Sequence, residues 1–257
     1  TELWLTFYNS LRRNNSVSFE IIFVGPKRPN FQLPSNFKFI HSNVKPAQCA
    51  YIAADAAKGE FLLHCSDDYL WSSHALDLFY KNATVTNMDN TILSGIYIAH
   101  VLDKNKLVKV LKHTKKKMRF FGSISSGYVK RKYFCPYVPN YMFIKKSLFH
   151  ELNGFDSRFI CSHYDMDLAM RLWERNGEVK ICREINPIEV HSPIQSSIIP
   201  PGYTECDKWL FFSLWCVKKS NKRKRFGPND LISFSKKDVK YRRIRVSKKR
   251  SCWLNPY

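Results

Sequence analysis

The chain has 257 residues, 44% of them hydrophobic, which is enough to bury a sizeable core and excludes disorder throughout. Its formal net charge of +21 and pI of about 9.7 imply an anionic counterpart such as nucleic acid, an acidic membrane surface or a phosphorylated substrate. The longest apolar run, WLFFSLWCV (209–217), is less than half of the ~20 residues that a membrane-spanning helix needs.

In chain order, ELWLTFYNSLRRN (2–14) sets Leu3, Phe7 and Leu11 on one helical face. FEIIFVG (19–25) and FKFIH (37–41) are short apolar runs that read as buried strands. KPAQCAYIAADAAKG (45–59) reads as a helix opened by Pro46 and stopped at Gly59. Strand EFLLHC (60–65) delivers Asp67 and Asp68 at its carboxyl end, and SSHALDLFYKN (72–82) follows as a helix capped by Ser72 or Ser73. TILSGIYIAHVLD (91–103) and KLVKVLKH (106–113) read as a hairpin, followed by a basic, mobile connection over 115–132. YMFIKKSLFHELNGFD (141–156) is a strand and a short helix stopped at Gly154. SHYDMDLAMRLWERNG (162–177) is a helix ended by Gly177, and VKICREINPIEVH (179–191) gives two strands broken near Asn186-Pro187. YTECDKWLFFSLWCVKK (203–219) is a helix with Trp209, Phe212 and Trp215 as buried members.

Alternating helices and buried strands predict an α/β domain, and in such sheets ligands bind beyond the carboxyl ends of strands. Asp67 and Asp68 stand at that position. Two readings of the pair are open: convergence on a hard divalent cation, or a capped turn with a solvated neighbour. HYDMD (163–167) likewise reads either as first-turn acids of a helix or as a source of a general base, because two acids at i, i+2 cannot both be the cap. His191 is a lone histidine, structural or ligating.

The opening helix, EIIFVG (20–25), AAKGEFLLHCSDDYLW (56–71), FIKKSLFHELNGFDSRF (143–159), SHYDMDLAMRLWERNG and IEVH (188–191), taken in order, resemble the inverting family 2 glycosyltransferases of the GT-A fold. The most specific part is NGFD followed by the Asp-x-Asp-Leu-x-x-Arg helix. The resemblance implies a nucleotide-diphospho-sugar transferase fold with a mixed, mostly parallel central sheet flanked by helices. The family's first strand has no match in this sequence, which opens at the following helix: either that strand lies ahead of Thr1 or it is absent. Residues 1–200 would form that domain, and 201–257 a C-terminal helix with a basic extension.

By the same resemblance, Ser66-Asp67-Asp68 stands at the metal-binding DXD signature with Cys65 in the place of its first aspartate. Asp67 and His191 would then be metal ligands, and Gly25, Ser66, Asp67 and Asp68 would line the nucleotide site. Asp165 would be the general base, with Tyr164 where a glutamate is common and Asp167 capping or bracing the helix. The implied cofactors are Mn²⁺ or Mg²⁺ and a nucleotide-sugar donor, with a UDP-sugar foremost. The acceptor would be a glycan, a lipid-linked sugar or a protein, and transfer of a hexosyl group would invert configuration. Lys130, Arg131 and Lys132 are expected to close over the diphosphate.

Much of the positive charge lies in the tail, in KKSNKRKR (218–225), SKKDVKYRRIRV (235–246) and SKKR (247–250), which suits an anionic membrane surface, a polyanionic glycan acceptor or nucleic acid. Eight scattered cysteines without zinc-finger spacing predict reduced thiols and a cytoplasmic protein, peripheral to the membrane through that tail. Two rivals are kept: an inactive glycan-binding module of the same fold, and a basic nucleic-acid-binding protein or metal nuclease built on Asp67, Asp68 and His191. Nucleic acid is the less expected partner, because the basic residues form a terminal extension instead of surrounding the acids.

Overall fold

The computed structural model describes residues 3–95, 97–101, 119–121, 141–191 and 202–215, with side chains at 97–101, 119–121, 189–191, 212 and 215 excepted. The first half runs α1 (Trp4–Arg12), β1 (Ile21–Gly25), β2 (Phe37–His41), α2 (Pro46–Ala56), β3 (Phe61–His64), β4 (Tyr69–Leu70), α3 (Ala75–Thr84) and β5 (Thr91–Ser94). Then come β6 (Tyr97–Val101), β7 (Arg119–Phe121), β8 (Met142–Lys145), α4 (Lys146–Glu151), α5 (Tyr164–Glu174), β9 (Glu178–Ile181), β10 (Ile188–His191) and α6 (Tyr203–Trp215).

Strand alternation builds the core. The sheet β3-β8-β5-β9 buries Leu62, Met142, Ile144 and Ile92 against α4 and α5 on one face. Phe61, Leu63, Phe143 and Leu93 point to the other face, into a cluster with Phe79 of α3. Phe143 stacks there on Phe79 and on Phe61, each at 5.0 Å between ring centroids. The sheets are mixed: β1-β2, β6-β10 and β5-β9 pair parallel, while β3-β8, β5-β8, β4-β10 and β6-β7 pair antiparallel.

Among the described residues, β1 pairs only with β2 and β3 only with β8, so each leaves an edge without a partner strand. All residues of both strands line one cavity of about 1560 Å³. The first strand of the family that the sequence resembles has no counterpart among the described residues.

Several local expectations are corrected. TILSGIYIAHV is two strands in two sheets, divided at Gly95, where a Cβ would lie 1.9 Å from the Tyr141 hydroxyl and 2.9 Å from the Cys182 and Ile185 carbonyls. β6 pairs antiparallel with β7, so part of the segment 115–132, expected as an irregular connection, is a strand; 106–113, the expected hairpin partner, lies outside the described residues. The caps of α3 and α5 are His74 and His163, both in the left-handed region at φ 62°, instead of Ser72, Ser73 or either acid of HYDMD. Asn176 at φ 61°, not Gly177, makes the turn after α5. Among the described side chains of α6, Asp207, Phe211 and Leu214 are buried, whereas Trp209, expected to be buried, is 59% exposed, because Asp207 anchors the helix to a neighbouring loop; the side chains of Phe212 and Trp215 lie outside the described ones.

Candidate active site

The chain leaves β3 at His64 and enters Cys65-Ser66-Asp67-Asp68, which line the large cavity from the carboxyl end of the strand. Asp67 is exposed, yet its Oδ2 accepts a 2.7 Å hydrogen bond from the Trp4 indole Nε1. Trp4 is itself buried, stacked on Phe23 of β1 at 4.1 Å, so the side chain of Asp67 is oriented by α1. Burial and the charges of Asp67 and Asp68 push the Cys65 thiol well above its usual range, while the Trp71 indole opposes them. Cys65 therefore stays a neutral thiol and supplies no charge to the neighbouring carboxylates.

Asp165 lies on the first turn of α5 and lines the same cavity. One of its oxygens accepts from Met166 N at 2.9 Å, and burial raises its pKa from the usual 3.8 to about 6. A carboxylate poised there can take a proton near neutral pH. Asp167, fully buried, points the other way. Its Oδ2 accepts from Arg171 Nε at 2.9 Å, and the same guanidinium donates to the Gly154 carbonyl at 2.7 Å and to the Leu152 carbonyl. The NGFD segment and the Asp-Leu-x-x-Arg helix are thus one latch: Asp167 braces, and Asp165 is left for the cavity. Asn153 and Gly154 turn the chain at φ 67° and 63°, and a Cβ on Gly154 would press on Phe149 and Tyr51 at 3.0 Å.

Gly25 ends β1 on the cavity wall, where an added Cβ would meet nothing within 4 Å. Ser66 is exposed on the same wall. His191 is described by its backbone alone. It closes β10, which pairs Ile188 with Leu70 and Glu189 with Tyr69, so the antiparallel register runs on toward Asp68 and Asp67. Lys130, Arg131 and Lys132 lie outside the described residues. Among the described residues no group of three or more His, Cys, Asp and Glu converges as a ready-made metal site, and no helix is long and apolar enough to cross a membrane.

Two contributors had no signal in the local sequence. Trp4 meets Asp67 across 63 positions, and Asp207, buried in α6, accepts from the backbone N–H groups of Ile160, Cys161 and Ser162 at 2.8, 2.7 and 2.8 Å. Asp207 thereby holds the loop that leads into HYDMD. The helix carries two acids, Glu205 and Asp207, and the local sequence does not tell which of them is buried.

A donor set of Asp67 and Asp68 suits a hard divalent cation that takes its remaining ligands from diphosphate and water, and the neutral Cys65 does not oppose it. The comparisons bear on the fold. The structure resembles that of GalNAc-T7 with UDP, GalNAc and Mn²⁺ at a TM-score of 0.53 and 12% identity, covering 76% of this chain and 42% of that one. It also matches S. aureus TarS 1-349 at a TM-score of 0.48 and 14% identity, over 74% of this chain and 57% of that one. This chain therefore spans well under two thirds of either protein's length. No curated protein matches the sequence. The architecture is that of the GT-A glycosyltransferases. The model of the glycosyltransferase like family 2 matches residues 35–191, and the chain belongs to that family.

Proposed function

We propose that the protein transfers a sugar from a nucleotide-diphosphate donor to an acceptor hydroxyl with inversion, and that Asp165 is the general base. The observation that carries this reading is the shared cavity: Asp165, held at a pKa of about 6, faces the same space as Asp67 and Asp68 at the carboxyl end of β3. In such a site Asp165 accepts the acceptor's hydroxyl proton as that oxygen attacks the anomeric carbon. Gly25 offers open wall space and backbone groups to the nucleotide, and Ser66 offers a hydroxyl. Asp67 and Asp68, with His191 as a further ligand, would hold Mn²⁺ or Mg²⁺, whose chemistry here is to neutralise charge on the departing nucleoside diphosphate.

A UDP-sugar is the first donor to test, in keeping with the UDP and Mn²⁺ of the GalNAc-T7 structure. The acceptor class proposed is a glycan, lipid-linked or protein-borne. Residues 1–200 form the transferase domain in this reading. The basic tail, which lies outside the described residues, is the proposed contact to an anionic membrane surface on the cytoplasmic side.

The test is a panel of UDP-sugars with Mn²⁺ or Mg²⁺, read both as binding by titration calorimetry and as turnover. The expected result is cation-dependent UDP binding, with turnover that rises with pH through about 6 as Asp165 ionises and is flat above. Asp165→Asn should keep UDP binding within twofold and lower kcat by at least about 10³-fold. Cation-independent binding of glycan with no turnover would instead identify an inactive binding module.

A further inference from the structure

Each acidic segment of the proposed site is preceded by an aromatic residue that also lines the cavity: His64 at the end of β3 and Tyr164 at the start of α5. Although 100 positions apart, the His64 Nε2 and the Tyr164 hydroxyl lie 3.1 Å from each other. Their rings meet edge to face at 5.5 Å, and Phe155 packs edge-on against both, at 5.0 Å from His64 and 4.9 Å from Tyr164.

Two features give this contact a consequence beyond packing. The first turn of α5 is opened by His163 at φ 62° with no side-chain capping hydrogen bond, so its orientation has to be set from outside the helix. Tyr164 is the first residue of that turn and Asp165 the second. The contact is also uncharged. Burial lowers the His64 pKa to about 4 and raises that of the Tyr164 hydroxyl, so neither adds a charge to the group formed by Asp67, Asp68 and Asp165. The hydrogen bond forms in either tautomer, since a neutral imidazole Nε2 can accept from the hydroxyl or donate to it.

We infer that the His64–Tyr164 hydrogen bond is a positioning device: it ties the first turn of α5 to the carboxyl end of β3 and so fixes where Asp165 stands relative to Asp67 and Asp68. The inference rests on the proposed assignment of those acids. A base must sit within hydrogen-bond reach of its proton, and displacements of about 1 Å can cost roughly a hundredfold in rate. Tyr164 and His64 act through Asp165 and the β3 end, so they are positioning residues.

Tyr164→Phe removes one oxygen and keeps the ring against Phe155. Expected are a kcat lower by about 10- to 100-fold, KM for donor and half-saturating cation within twofold of the parent, and faster amide hydrogen exchange at residues 165–167. His64→Leu should match it. His64→Gln, which returns a polar atom near the place of Nε2, should recover much of the loss. The double variant His64→Leu/Tyr164→Phe leaves neither partner buried without its bond, so it should regain thermal stability over the single variants while kcat stays low. Recovery of kcat together with stability in the double variant would reduce the contact to packing and overturn the inference. So would a Tyr164→Phe enzyme with kcat within twofold of the parent, or unchanged exchange at 165–167. If the parent itself transfers no sugar, the proposed function fails, whereas the exchange comparison still decides whether this bond positions the start of α5.

Discussion

Asp165 carries an ionised carboxylate that its surroundings disfavour. Its pKa in the folded chain, about 6, lies above the ordinary 3.8, so the folded state binds the proton more tightly than the unfolded chain does. Ionisation therefore costs stability above pH 6, and the cost fades as the pH falls from about 6 toward 4. Asp165→Asn should melt higher than the parent at pH 8, by roughly 2–6 °C, and the two melting curves should converge near pH 4. A protein that lost stability on this substitution at pH 8 would show that the carboxylate is stabilised by its setting. Gly25 allows the opposite separation of stability from binding. Its Cβ would meet nothing and its φ is not in the left-handed region, so Gly25→Val should leave Tm within about 1 °C and weaken UDP binding by at least about tenfold by filling the wall. Calorimetry on both variants checks the pair of expectations.

At the scale of elements, α5 does two jobs with residues two apart. Asp167 faces inward to Arg171 and, through it, to the loop after α4, while Asp165 faces the cavity. The loop before α5 is held in turn by α6, through three backbone N–H groups donating to Asp207. Asn at 207 would replace one acceptor oxygen by a donor and leave at least one of those N–H groups without its bond. Asp207→Asn should lower stability by about 2 kcal/mol, measured by urea unfolding, and should lower kcat as well, since the loop it releases leads into the base. Helix α6 lies outside the segment that matches the family model, so the site depends on an element beyond that match.

At the scale of the molecule, two strand edges, those of β1 and β3, have no partner strand among the described residues and face one cavity. Edges without partners expose backbone donors and acceptors and invite pairing with other chains. A Val-rich segment of about five residues, fused ahead of Trp4 and able to pair with both edges, should raise Tm by several degrees. It should also protect the amides of Ile21–Gly25 and Phe61–His64 from hydrogen exchange. The same segment with a central proline should do neither, because proline removes a ladder donor. Equal behaviour of the two fusions would mean that β1 and β3 do not accept a common strand.

Most of the strands and helices, the carboxyl-end placement of Asp67 and Asp68, and the succession of NGFD and the Asp-Leu-x-x-Arg helix were legible in the sequence, whereas β4, β7 and the bonds from Arg171 to the NGFD turn were not. The legible features rest on short-range period and on motif spacing, which a linear chain displays directly. Tertiary structure decided what depends on contacts far apart in sequence. It gave Asp167, expected to cap or brace the helix, its partner Arg171, and it split the 91–103 run at Gly95, where three neighbouring groups leave no room for a side chain. It brought Trp4 to Asp67 and Tyr164 to His64, 63 and 100 positions away. Burial, which no local pattern states, raised the carboxyl of Asp165 to about 6 and kept Cys65 a thiol, so the protonation states on which the proposed chemistry turns belong to the folded chain.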